Sequence, residues 1–131
     1  MTKSTQIITT LSLLGIAILA GCQRELETDT KDKEEIVITD FNSLRNNAAN
    51  SPKSVKVDPK SNEAKIIYNW IEKNRDGWHS SSATFVNGCV WEIDGDKFNL
   101  LENEIVVETK DGDQITHDLR DTTIYVVHSL F

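Results

Sequence analysis

Apolar residues along the chain follow several different rhythms, and each rhythm predicts a different kind of element. From Ile7 to Ala20 fourteen consecutive residues carry no charge, an apolar run with no periodicity. Ile36-Val37-Ile38 is short and β-branched and predicts a strand opening the folded part. After it, Thr39 or Asp40 can cap a brief helix with Phe41, Leu44 and Ala48 at helical spacing. Asn50-Ser51-Pro52 ends that element, and Val55 and Val57 then flank an exposed, extended Lys56. In the next stretch Ala64, Ile67, Trp70 or Ile71 and Asn74 recur at steps of three and four, which predicts the main helix. Asp58-Pro59 supplies an N-cap and a first-turn proline, and Gly77 a left-handed stop. Its broad apolar face needs a sheet to cover it.

Beyond Gly77 the period shifts to two. At Asp94-Gly95-Asp96 a two-residue loop gathers Trp91, Ile93, Phe98 and Leu100 on one face. At Asp111-Gly112-Asp113 the same loop would set Ile115 beside Glu108. A three-residue loop, Lys110-Asp111-Gly112 with a glycine bulge, instead aligns Ile105, Val107, Ile115, His117 and Leu119. Thr122 to Leu130 alternates once more and predicts a final strand with both faces covered. The fold class expected is α+β, one or two helices packed on an antiparallel meander of four or five strands.

Composition divides the chain further. Residues 23–35 are dense in charge with Leu26 as their one large apolar side chain, so they predict a flexible tether ahead of a single domain over residues 36–131. Of the 131 residues, 14 are basic and 21 acidic, for a net charge of −7. Residues 76–131 hold eleven acids against Lys97, Lys110 and Arg120. That surface repels phosphate backbones, which excludes nucleic acid as the expected partner, and it would steer a cationic protein inward.

The uncharged run has the form of an export signal: Lys3 precedes it and small residues end it before Gln23-Arg24-Glu25. Its fourteen residues reach about 21 Å as a helix, short of a ~30 Å hydrocarbon core, although the uncharged span from Ser4 to Gln23 counts twenty and leaves an uncleaved anchor open. The segment Leu19-Ala20-Gly21-Cys22 that closes it resembles the lipobox of bacterial lipoproteins. The resemblance covers residues 1–22 and implies removal of residues 1–21 by cleavage between Gly21 and Cys22, with diacylglyceryl transfer to the Cys22 thiol. Two or more acyl chains such as palmitate give stable attachment, since each buried CH₂ contributes ~0.8 kcal/mol. The resemblance thus implies a membrane partner through a lipid anchor and a place in the cell envelope. With Gln23 rather than Asp after the cysteine, that place would be the outer membrane facing the periplasm in a Gram-negative cell. Lipidation of Cys22 also leaves Cys89 without a disulfide partner in the mature chain, as a small buried residue.

Candidate chemistry is sparse. Both Asp-Gly-Asp triplets lack the sixth-position glycine of a calcium loop, with Asn99 and Thr116 standing there, and read as hairpin turns. His79, His117, His128 and Cys89 show no zinc-ligand spacing, so no metal or other cofactor is expected. Ser80, Ser81 and Ser82 follow His79 without a nucleophile elbow. The expectation is a non-enzymatic protein. Trp78 and His79, in a polar connection between helix and sheet, are the candidate partner-binding residues. The stretch Trp70-Ile71-Glu72-Lys73-Asn74-Arg75-Asp76-Gly77-Trp78, with Thr84 and Asp96-Lys97-Phe98-Asn99-Leu100, resembles small uncharacterised exported proteins of Gram-negative bacteria over residues 66–107. It implies an exported domain and names no activity. The function expected is binding or inhibition of a protein partner in the envelope, such as immunity or hydrolase inhibition. The alternative is a structural component of an envelope assembly.

Overall fold

A computed structural model describes residues 23–45 and 51–131. Cys22, Gly21 and the rest of the predicted export signal lie outside the described residues, as does Ala48. The described chain is α+β, built on one antiparallel sheet. In sequence the elements are β1 (Ile36–Asp40), α1 (Asn42–Arg45), β2 (Lys53–Val57), α2 (Asn62–Lys73), β3 (His79–Ser80), β4 (Cys89–Ile93), β5 (Asp96–Leu100), β6 (Glu104–Glu108), β7 (Gln114–Asp118) and a 3₁₀ helix, η1 (Thr122–Leu130). The sheet has seven strands in the order β2-β1-β4-β5-β6-β7-β3, more than the four or five expected. The β4-to-β7 meander is the anticipated part. β1 matches the strand read at Ile36-Val37-Ile38, and the surplus is β2, paired with it at one edge, and the two-residue β3 at the other.

Turn chemistry sets the register of the meander. Trp91 faces Phe98 and Cys89 faces Leu100 across the β4–β5 turn, as a two-residue loop requires. Asp94 and Gly95 take the positive φ values, 53° and 78°, of a hairpin turn whose twist matches its strands. The Trp91 and Phe98 rings stack, with centroids 5.6 Å apart. Across the β6–β7 turn Val107 faces Ile115 and Ile105 faces His117. There Thr109 N–H donates to Asp113 O at 2.8 Å and Gly112 N–H to Thr109 O at 2.9 Å, closing the three-residue loop.

The main helix starts later than expected. Asp58 is used in a turn, accepting Lys60 N–H on Oδ1 and Ser61 N–H on its carbonyl, so Ser61 becomes the cap and its hydroxyl accepts Ala64 N–H at 3.2 Å. Asn74 caps the other end, and Gly77 takes its left-handed φ of 81° three residues further on. Ala64, Ile67, Tyr68, Trp70 and Ile71 face inward, against Ile36, Ile38, Trp91, Phe98, Leu100, Ile105, Val107 and Ile115 from the sheet.

Residues 122–130 are not a strand. Their alternation fits a period of two, but the sheet edge beside β7 is already taken by β3. The segment instead winds as a 3₁₀ helix from Asp121, whose carboxylate accepts Thr123 N–H at 3.1 Å. Its near three-residue turn brings Ile124 and Val127, rather than Ile124 and Val126, into the core beside α2. The opposite face of the sheet is crossed by the chain between β3 and β4. Gln114 Nε2 donates to Ser81 O and Ala83 O, and Asn99 accepts Gly88 N–H while donating to Val86 O. Two side-chain amides thereby pin an irregular segment across the sheet, over the side that buries Val106.

Candidate functional site

The segment read as a tether is part of the fold. Arg24 and Trp78 exchange backbone hydrogen bonds at 2.7 and 3.2 Å, and Leu26 N–H donates to Arg75 O at 2.7 Å. The Arg75 guanidinium donates back to Leu26 O and Thr28 O at 2.9 and 2.6 Å. Leu26 is 1% exposed. Composition correctly finds little in this segment to bury, but one leucine and a set of satisfied backbone groups suffice when a groove is ready to receive them. Residues 24–30 therefore form a strap across the molecule.

Both Asp-Gly-Asp turns grip this strap. Thr28 Oγ1 donates to the buried Asp96 carboxylate at 2.6 Å, and Asp96 also accepts Lys110 N–H at 2.8 Å from the neighbouring turn. Asp94 accepts Asp29 N–H at 2.9 Å and pairs with Lys110 Nζ at 3.2 Å. The backbone donor first and the ammonium second hold its carboxyl below the ordinary range. Arg24 pairs with Asp113 at 3.2 Å. At the helix, Thr30 and Arg75 both donate to Glu72, whose carboxyl is lowered by the Thr30 hydroxyl and then by the guanidinium. Of the carboxylates that suggested calcium, Asp94, Asp96 and Asp113 are thus occupied by strap donors and by Lys110. Among the described residues no group of three or more His, Cys, Asp or Glu is arranged to hold a metal ion.

Past the strap the chain makes an acid-lined hollow. Asp29, Asp32, Glu34, Glu35, Glu92 and Asp94 surround a cavity of about 160 Å³ floored by Ile36, Tyr68 and Ile93. Tyr68 donates its hydroxyl to Glu34 O at 3.1 Å and carries Lys33 over its ring at 5.7 Å. Burial raises the Tyr68 phenol, which stays a neutral donor. Of these six acids, the five other than Asp94 have no ion pair among the described residues, and they can accept hydrogen bonds from guanidinium or ammonium groups and attract them over several ångströms. The acid excess of the sequence lies after residue 76, but four of these six acids, Asp29, Asp32, Glu34 and Glu35, come from the segment taken for a tether.

The cavity lies at the β4–β5 turn. β7 ends at the other extreme of the sheet, since Gln114 pairs with Glu108 and Glu108 with Lys97 beside that turn, whereas Asp118 lies four residues further along β7. Gln23, the first described residue, meets Gly77, His79, His117, Asp118 and Arg120 there. Strands of five residues separate the two ends by about 17 Å.

The predicted site residues are dispersed. Trp78 is fully buried beneath Arg24, its indole N–H donating to Asn74 O at 2.6 Å and its ring edge-on to Trp70 and His117. It has no surface to offer a partner, because the strap covers it. His79 is exposed on edge strand β3. His117 packs against Trp78 and contacts Asp76 O. His128 lies 3.7 Å from Cys89 Sγ. Burial first, and the nearby Asp40 carboxylate second, push the Cys89 thiol up to about 12, which makes it a poor nucleophile. Among the described residues no helix is long and apolar enough to cross a membrane. In comparisons with known proteins, no family model matches this chain, and neither a curated protein nor a solved structure is similar to it.

Proposed function

We propose that this chain is a lipid-anchored envelope protein that binds a basic protein partner at its acid-lined hollow. The anchor rests on the lipobox resemblance at Leu19-Ala20-Gly21-Cys22, and the binding role rests on one observation. Asp29, Asp32, Glu34, Glu35, Glu92 and Asp94 converge on a single cavity at the end of the sheet remote from Gln23. If Cys22 holds the chain to a bilayer, the acidic end faces away from it.

The direct association of strap and sheet changes the geometry of that arrangement. A tether of thirteen residues would let the domain range up to roughly 45 Å from its anchor at ~3.4 Å per extended residue. With Arg24 already hydrogen-bonded to Trp78, the body is held within about two residue lengths of Cys22, some ~7 Å. A basic partner would then meet the hollow at a fixed height above the membrane. The chemistry asked of the protein is Coulombic attraction and hydrogen-bond acceptance, and the reading is non-enzymatic.

Capture from detergent-solubilised envelope, with wild type and the double variant Asp32→Lys/Glu35→Lys as baits, tests this reading. Wild type should retain a basic protein at low salt and lose it at high salt, as screened charge requires, and the variant should retain none. Equal recovery by both baits, or no recovery by either, contradicts the binding role. Palmitate labelling of wild type and Cys22→Ser tests the anchor separately.

A further inference from the structure

We propose that the hollow formed by Gln23, Gly77, His79, His117, Asp118 and Arg120 binds the phosphodiester of a phospholipid headgroup in the bilayer that carries the anchor. This rests on the reading that Cys22 is acylated. The cavity measures about 220 Å³, and its first lining residue is the one bonded to Cys22, so the headgroup layer and the hollow are brought together by a single peptide link.

Its charge is unlike that of the acidic end. Arg120 is exposed and has no ion-pair partner among the described residues. His79 is exposed beside it on the edge strand. The two ring nitrogens of His117 lie 2.7 Å from Asp118 O and 2.9 Å from Asp76 O. These two contacts hold the ring in one orientation at the wall of the hollow. Gly77 secures its place: a Cβ there would stand 3.3 Å from His117 Nε2. The planar Arg120 guanidinium, with His79 and Gln23 in the same lining, matches the oxygens of a phosphodiester monoanion. The Asp118 carboxylate opposes that anion, and its removal should strengthen binding.

The full mature chain in maltoside micelles, which contain no phosphate, can be titrated with dihexanoyl phosphatidylglycerol below its micelle concentration and, separately, with inorganic phosphate. The imidazole resonances of His79, His117 and His128 are followed by NMR. Saturable shifts at His79 and His117 but not His128 are expected from the phospholipid, weakened about tenfold by Arg120→Gln and tightened about threefold by Asp118→Asn. Inorganic phosphate should bind at least about tenfold more weakly. Shifts absent at both histidines, unchanged by Arg120→Gln, or reproduced at equal concentration by inorganic phosphate overturn the assignment. Because this titration does not depend on acylation, an unlabelled Cys22 in the palmitate experiment removes the anchor and leaves the headgroup result independent.

Discussion

The Thr28 hydroxyl donates 2.6 Å to the Asp96 carboxylate, joining a residue of the N-terminal strap to the second acid of a hairpin turn 68 positions later in the chain. Both residues are buried, and Asp96 has Lys110 N–H as its other donor. Thr28→Val keeps the shape of the side chain and removes the donor, leaving a buried carboxylate oxygen short of a partner. It should cost about 1–3 kcal/mol in urea unfolding. Unchanged stability would mean that the strap does not bear on the fold.

A larger effect is expected at Leu26. Its side chain is sealed in the core, so Leu26→Ala should destabilise by about 2–5 kcal/mol, depending on how far the site collapses. In a free tether the same change would cost nothing measurable, and the denaturation midpoint distinguishes the two.

Acid should loosen the strap. Asp94 is lowered by Asp29 N–H and then Lys110, and Glu72 by Thr30 and then Arg75. A carboxyl lowered in the folded chain contributes stability that is fully present above its unfolded value, ~4, and is lost as pH falls through the lower folded value. Exchange protection of the Arg24 and Leu26 amides should therefore hold from neutral pH down to ~4 and decline below it. A decline between pH 7 and 5 would assign the strap to other groups.

Glycine replacements should follow local space. Gly88→Ala would place a Cβ 2.2 Å from the Leu100 carbonyl oxygen, a backbone clash costing about 3 kcal/mol or more. Gly112→Ala meets nothing within 4 Å and bears only its φ of +89°, about 1–2 kcal/mol. Equal costs in thermal unfolding would contradict the register that sets Gly88 beside β5.

Cys89 should resist disulfide reagents. With its thiol pushed up to about 12, the native protein at pH 8 should label orders of magnitude more slowly than urea-unfolded protein. Comparable rates would show Cys89 open to solvent.

How far the sequence carried can be traced to individual residues. Parity about Asp94-Gly95 and about Lys110-Asp111-Gly112 determined the register, because a one-residue slip moves every side chain to the other face. The spacing of Ala64, Ile67 and Trp70 revealed the helix because steps of three and four return to one face of a 3.6-residue turn. Thr122–Leu130 was misread because β-branched residues at alternating positions also satisfy a three-residue turn, and occupancy of the β7 edge by two residues near Trp78 is a tertiary fact. The strap was hidden by its own charges. Nothing in Arg24-Glu25-Leu26 announces a groove beside Arg75, and so neither the acid-lined hollow nor the burial of Trp78 was legible; the acid excess after residue 76 supplies only Glu92 and Asp94 of its rim.

The central claim is that the body sits directly on its anchor, with the Arg120 end at the membrane and the Asp94 end away from it. Paramagnetic relaxation from headgroup-labelled lipid, measured on the acylated protein in bilayers, tests it most directly. The account predicts strong broadening of the Gly77, His79 and Arg120 amides and little at Asp32, Glu92 and Asp94. Uniform weak broadening across both ends, as from a freely ranging domain, or the reverse order would contradict it.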